Sequence, residues 1–464
     1  MVLVGGPAAP YSRAIRIARS LAAEGYAVEI AAVASAGLPE REPITPARPG
    51  TVGEPSPDPS AVGKIELRRY RPSGPWAILG VSEAATGAAS GGTPSPRRPA
   101  GDTKRALGRT IRALAVPFLL ARRWVFWPHA VRGWWATLAR DLAPADLYHA
   151  CGSLTIAAAL AARDRSPVGP SGLPSRVIYD AIDDVAESNE ALPVPWAIRR
   201  RNAQTEAAWA RAADAVVTVN DALAERLAAR WRLERPRLVV ANLPEPPPPA
   251  DIGAGRPDHL RAAAGMPTST RIVVFQGRLG PGLGLEEAAE AVLLVPDAAL
   301  VLLGFGRGVA ASLARDRDPR FSGRHVTLPP RPPDELLAWT ASADLALIPL
   351  PPVSVNQRLS TPNKFWEAIV AGTPIVVVAG LEVMERLVAE HDLGTVAASP
   401  EPADLAAAIG EVLDRVGREG DAWRQRIAAV GRDRFGWPAT ATAYRVLVRS
   451  VVSGRDGGSA ANST

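Results

Sequence analysis

The chain has 464 residues, 47% hydrophobic and 22% charged, with a formal net charge of +6. This is the composition of a globular protein long enough for two cores, which excludes an intrinsically disordered chain. No apolar run approaches the ~20 residues of a membrane span, and the single cysteine, Cys151, excludes an intrachain disulfide. With no basic, then apolar, leader at its start, the chain is expected to be cytoplasmic.

In chain order, short β-branched runs alternate with helical patterns, the signature of parallel α/β sheets. Strands are predicted at 2–4, 28–34, 65–70, 146–150, 176–182, 215–220 and 237–243, with a helix from about Ser12 to Glu24 joining the first two. The stretches 39–62 and 82–103, rich in Pro, Gly and Ser, read as loose insertions. From Arg97 to Trp135 there are nine basic residues against one acid, Asp102. The positive charge is therefore local, and nucleic acid is not an expected partner. Within 104–140, Leu107, Ile111, Leu114 and Phe118 recur at helical spacing opposite Arg105, Arg109 and Arg112, and Trp124, Trp127, Trp134 and Trp135 follow. Such a segment either lies at an anionic membrane surface or packs its apolar face on the first sheet.

A proline-dense linker at 244–257 closes this half at residue 243. The pattern restarts over 258–436, with strands at 271–277, 298–304, 325–329, 344–350 and 373–379 and helices at 285–295, 333–342, 362–371 and 402–416. A helix is predicted at 437–453 and a tail at 454–464. Two doubly wound halves put a ligand in the cleft between them, at the carboxyl ends of the strands.

Three stretches of the second half point at that cleft. The first is "STPNKFWEAIVAG", Ser360 to Gly372. Only three of the 53 basic residues are lysine (64, 104 and 364), so a lysine here stands out. Thr361 suits an N-cap and Pro362 the first helical position, which leaves the N–H groups of Asn363 and Lys364 for an anion. A compact ammonium approaches one phosphate oxygen closely. Glu367, one turn on among apolar residues, needs a partner, and the two hydroxyls of a ribose would serve. The alternative is a solvent-facing Glu367 and an ordinary surface lysine. The second stretch, "VVFQGRLGPGLGLEEA" (273–288), is a strand, a turn and a helix. Gly277, Gly280, Gly282 and Gly284 let backbone approach a ligand, and Arg278 at the strand end can clamp a diphosphate. A structural tight turn is the alternative. The third, "VLLGFGRG" (301–308), adds Gly304 and Gly306 at a neighbouring strand end.

Together these motifs resemble the GT-B glycosyltransferases of the retaining family 4 type. The resemblance runs in family order from "SRAIRIARSLAAEGYAVEIAAV" through "DLYHACGSLTIAAALAA" and "VVANLPE" to "PNKFWEAIVAG", its most specific part. It implies a GT-B fold: two Rossmann-like domains facing a cleft, with the helix at 437–453 crossing back onto the first. It implies a nucleoside diphosphate sugar as donor, bound through Arg278, Lys364 and Glu367, and by Gly277, Gly280, Gly282, Gly284, Gly304, Gly306, Thr361, Pro362 and Asn363. The acceptor, a glycan, lipid-linked or small molecule, would lie near Gly5, Gly6, Ser12, Arg13 and His149. Retention of configuration, no metal and no cofactor are implied as well, as is contact of the first domain with membranes. Three positions depart from the family pattern. Ser360 stands where many members have a glutamate, Leu283 where a basic residue is usual, and Cys151 where a second histidine is often found. They leave a non-catalytic scaffold as the rival reading. A nicotinamide enzyme is disfavoured because "VGGPAAP" is no G-x-G-x-x-G turn. His149 also reads as a structural histidine, and Cys151 as a small packed residue. Asp180, Asp183 and Asp184 read as capping or solvated acids, not a metal site.

Overall fold

The structure is a computed structural model, which describes residues 1–6, 8, 12–34, 37–45, 63–71, 138–234, 238–245 and 258–454. The insertion at 82–103, nearly all of the basic Trp-rich segment, most of the linker and the tail beyond 454 lie outside the described residues.

The first half builds strands β1 Val2–Val4, β2 Val28–Val33, β3 Arg41–Ile44, β4 Ile65–Tyr70, β5 Leu147–Cys151, β6 Arg176–Ala181, β7 Ala215–Thr218 and β8 Leu238–Val239. Their order in the sheet is β3-β4-β2-β1-β5-β6-β7-β8, parallel throughout except for β3 against β4. Strands covered on both faces are apolar along their whole length, and β1, β5 and β7 are buried at every residue. The second half builds β9 Arg271–Arg278, β10 Ala298–Phe305, β11 His325–Leu328, β12 Leu345–Ile348, β13 Ile375–Val378 and β14 Gly394–Ala397. Their order is β11-β10-β9-β12-β13-β14, all parallel.

Both sheets therefore contain the doubly wound order 3-2-1-4-5-6, and each reverses direction beside its own first strand. The reversal falls between β1 and β5 in the first sheet and between β9 and β12 in the second. Gly5, Gly6 and Gly152 follow the carboxyl ends at the first switch point, and Arg278 ends β9 at the second.

One expectation fails in the first half. The insertion at 39–62 is not loose throughout, because Arg41–Ile44 forms β3 on the edge of the sheet. Its Pro43 is tolerated because an edge strand needs no donor on its outer side. Arg69, with a buried side chain, reaches Glu42 at 3.0 Å and fixes the pairing.

Helix Trp437–Ser453 lies on the first domain although it follows the second in sequence. The Trp437 indole N–H donates to Ser20 Oγ at 3.1 Å, and Arg449 pairs with Glu24 at 2.6 Å. No helix among the described residues is long and apolar enough to cross a membrane.

Candidate active site

Helix Asn363–Val370 starts one residue later than its sequence suggests. Pro362 occupies the N-cap position with extended backbone, and Thr361 caps nothing. Thr361 is buried and its hydroxyl accepts from Asn220 of the first domain at 3.3 Å. The helix keeps its exposed first-turn N–H groups without a side-chain cap, and it points them at the cleft from the second switch point.

Lys364 and Glu367 are both partly exposed. The Lys364 ammonium lies 3.4 Å from the centre of the Phe275 ring. Removal from water, with a smaller push from Arg278, lowers its pKa to about 7 against the pull of Glu367. Arg278 is exposed at the end of β9, and no carboxylate pairs with it among the described residues. Two cations thus converge without a carboxylate salt bridge to either.

Burial raises the pKa of Glu367, opposed first by a hydrogen bond from Gln276 Nε2 at 2.6 Å, then by Arg16 and Lys364. The Gln276 amide is oriented because the Thr340 hydroxyl lies 2.6 Å from its Oε1 and supplies a donor there. That leaves the amide N–H for the carboxylate. Neither Gln276 nor Arg16 stands out in the sequence. Arg16 sits one turn after Arg13 in helix Ser12–Ala22, and its guanidinium lies 5.5 Å from the Trp437 ring. Burial lowers its pKa to about 10, opposed in part by the charge of Glu367. It donates to Asn242 Oδ1, and Asn242 Nδ2 donates to Asn363 Oδ1. A polar chain therefore links the first domain to the first turn of helix Asn363–Val370. The buried Arg16 Nε has no partner among the described residues.

The glycine turn and the neighbouring loop are zipped together: Leu279 N–H donates to Phe305 O at 2.7 Å, and Gly308 N–H to Leu279 O at 3.0 Å. Gly284 is required, since at φ 72 a Cβ would run into the Pro349 carbonyl. Gly306, at φ 114, would place a Cβ 2.8 Å from Leu279 O. Gly304 lies opposite Gly277 in the ladder, and Gly277 borders the Lys364 ammonium. Gly280 and Gly282 sit in the turn with open space around them. Leu283 packs against the core.

In the first domain the structure corrects the expectation that Arg13 and His149 offer themselves to an acceptor. Arg13 and His149 are 2% and 0% exposed and present no surface to a ligand. Arg13 grips both oxygens of Asp180, at 2.7 and 2.8 Å, and donates to Val240 O. His149 Nε2 lies 3.3 Å from Asp180, and its Nδ1 lies 2.9 Å from the Tyr444 hydroxyl. A carboxylate only accepts, so Nε2 carries the proton and Nδ1 accepts from Tyr444. Burial alone would raise the Asp180 pKa, but Arg13 and His149 outweigh it and hold it at about 2. Donor atoms of His149, Cys151 and Asp180 lie within 4.8 Å of one another, yet the Arg13 cation already satisfies the carboxylate. Burial raises the Cys151 thiol well above its usual pKa, so it is a packed thiol and not a nucleophile. Gly5 is close to Leu154, and Gly6 O accepts from Val33 N–H at 2.9 Å, so both border the first switch point. Ser12 opens the first helix. Asp184 is buried in pairs with Arg226 and Arg230, and Asp183 accepts from Asn356 at 2.9 Å.

Two Rossmann-like domains with reversals facing one cleft define the GT-B fold, and solved structures bear it out over the whole chain. Sucrose-phosphate synthase from Thermosynechococcus elongatus aligns over 98% of this chain and 99% of its own, with a TM-score of 0.57 at 18% identity. Anabaena HepE in complex with UDP-glucose aligns over 97% and 99%, with a TM-score of 0.57 at 14% identity. Residues 270–415 match the family described as glycosyl transferases group 1. In sequence, D-inositol 3-phosphate glycosyltransferase 2 of Catenulispora acidiphila is 29% identical over 248 residues, 50% of this chain and 55% of that protein. The chain spans about half the length of the curated relatives it matches.

Proposed function

We propose that the protein is a glycosyltransferase that takes a sugar from a nucleoside diphosphate and passes it to an acceptor held against the first domain. The observation that carries this reading is the pairing of Lys364 and Arg278, two cations without a carboxylate salt bridge, at the open first turn of helix Asn363–Val370. A diphosphate between them restores the charge that burial opposes on Lys364. Glu367, held by Gln276, accepts from ribose hydroxyls. The match to group 1 glycosyltransferases and the UDP-glucose complex of HepE, alike in fold, support the same ligand class.

In the reaction, the acceptor oxygen forms a bond to the anomeric carbon as the bond to the diphosphate oxygen breaks. The acceptor proton leaves with the diphosphate. Charge builds on that leaving group, where Lys364, Arg278 and the helix N–H groups stand preorganised. These cations do the work that a metal would otherwise do, so the proposal is a metal-independent enzyme; retention is proposed from the resemblance to the family 4 type. The basic Trp-rich segment 104–140 is proposed as a contact with anionic membrane at the inner face; sedimentation with anionic vesicles at low salt tests it, and no binding refutes it.

Titration calorimetry with UDP, GDP and ADP tests the main reading. The wild type should bind one of them, and Lys364→Ala and Glu367→Ala should each weaken it. Binding of none of the three refutes the reading.

A further inference from the structure

A groove of about 670 Å³ lies on the first domain, outside the cleft, between helix Trp196–Ala212 and helix Asp221–Trp231. Five arginines line it: Arg199, Arg200, Arg211, Arg230 and Arg232. Glu187 is the only carboxylate in its lining. Arg199 and Arg230 face Glu187 at 3.5 and 3.9 Å, and Arg230 also pairs with Asp184. Arg211 donates to the Trp231 carbonyl at 2.8 Å. No carboxylate pairs with Arg200, Arg211 or Arg232 among the described residues. Positive charge gathered in a concave surface focuses the field and draws multiply charged anions.

The second observation is Trp196. It is 65% exposed at the groove, with the Arg200 guanidinium 5.5 Å from its ring. A tryptophan this size left in water is costly unless something covers it. Its flat face matches the apolar face of a pyranose ring, and the arginine forks match phosphate, sulfate or carboxylate groups. A concave site with its cations on two walls fits a discrete ligand better than the flat plane of a bilayer. The groove also borders the cleft. One loop, 183–187, supplies Glu187 to the groove, and its Asp184 N–H donates to Asn356 of the second domain at 2.7 Å.

We propose that this groove binds an anionic saccharide, a sugar chain bearing several phosphate, sulfate or carboxylate groups. The choice of a saccharide rests on the glycosyltransferase reading, under which the groove holds the far end of an acceptor whose near end enters the cleft.

The test is calorimetry on the full chain with a heparin-derived hexasaccharide, neutral maltohexaose, inorganic pyrophosphate and phosphatidylglycerol vesicles, with UDP titrated in parallel. The hexasaccharide should bind and weaken with salt, and maltohexaose should not bind. The exposed pair Arg200→Glu/Arg232→Glu should weaken the hexasaccharide at least about tenfold, or about 1.4 kcal/mol. Trp196→Ala should weaken it as well, and UDP binding should stay unchanged in both variants. Equal hexasaccharide binding by wild type and the arginine double variant overturns the site. So does pyrophosphate binding that is as tight as the hexasaccharide's and is lost in the arginine double variant, which separates it from pyrophosphate held in the cleft, or binding by vesicles alone. UDP binding without hexasaccharide binding removes the groove and keeps the cleft reading. Hexasaccharide binding with no binding of UDP, GDP or ADP removes the cleft reading and keeps an anion site.

Discussion

Nucleoside diphosphate affinity should fall steeply between pH 7 and pH 9, and Lys364 should be the cause. Its burial beside Phe275 and Arg278 holds its pKa at about 7 in the empty cleft. A diphosphate needs the charged ammonium, and above pH 7 the ligand itself is almost fully ionised. At pH 7 about half the lysine is charged, and at pH 9 about 1%, so affinity should drop roughly 50-fold, or about 2.3 kcal/mol. The sign follows from the direction of the shift. Binding raises the depressed pKa, so affinity is full below pH 7 and lost as pH rises, with about 0.9 proton taken up per ligand at pH 8. For the same reason the empty protein gains stability as pH rises from 7 toward 10.5, because the unfolded chain binds more protons there. Calorimetry with UDP in two buffers of different ionisation enthalpy measures both the affinity and the proton. Lys364→Arg should flatten the profile by staying charged, and Lys364→Met should be weak and flat. A flat wild-type profile, or the wild-type slope surviving in Lys364→Met, would refute the argument.

Gln276→Ala should weaken nucleotide binding about five- to tenfold, because Glu367 loses the donor that orients it; the same titration reads this, and the melting temperature should fall as well because Gln276 is buried between Glu367 and Thr340. Asp180→Ala should cost about 3–5 kcal/mol in denaturant unfolding, since it leaves the Arg13 guanidinium buried against an empty carboxylate site. The depressed Asp180 pKa adds an acid limit: its stabilisation is present above about pH 4 and drains as pH falls toward 2. Gly284→Ala should abolish nucleotide binding or lower the melting point by several degrees, because its Cβ meets the Pro349 carbonyl at a positive φ.

The alternation of β-branched runs with helical stretches made the two sheets legible, since strands such as "RIVVFQG" and "TPIVVVA" carry their own burial in their composition. β3 was not legible. "REPI" has a proline and two charged side chains, and only its antiparallel pairing with Ile65 to Arg68 makes it a strand. At the site, Lys364 and Glu367 share one helix, so local spacing alone sets them one turn apart. Gln276 reaches Glu367 from 91 residues before it, the charge of Arg16 acts on it from the other domain, and nothing local marks either. Thr361 read as a cap because its residue type suits one. Its hydroxyl meets Asn220 of the opposite domain instead, a contact that exists only after the domains come together. Arg13 and His149 look like cleft residues in sequence because they flank the first switch point. A carboxylate on β6, Asp180, draws both inward.

The first domain finishes last in the order of synthesis. Tyr444, which meets His149 at 2.9 Å, is made 295 residues after it, and Trp437 is made 417 residues after Ser20. A nascent chain that has already threaded β1 to β8 still lacks the cover over helix Ser12–Ala22 while the whole second domain is being translated. During that interval the His149 ring is exposed on one side, and the half-built domain is a client for whatever in the cell guards unfinished sheets.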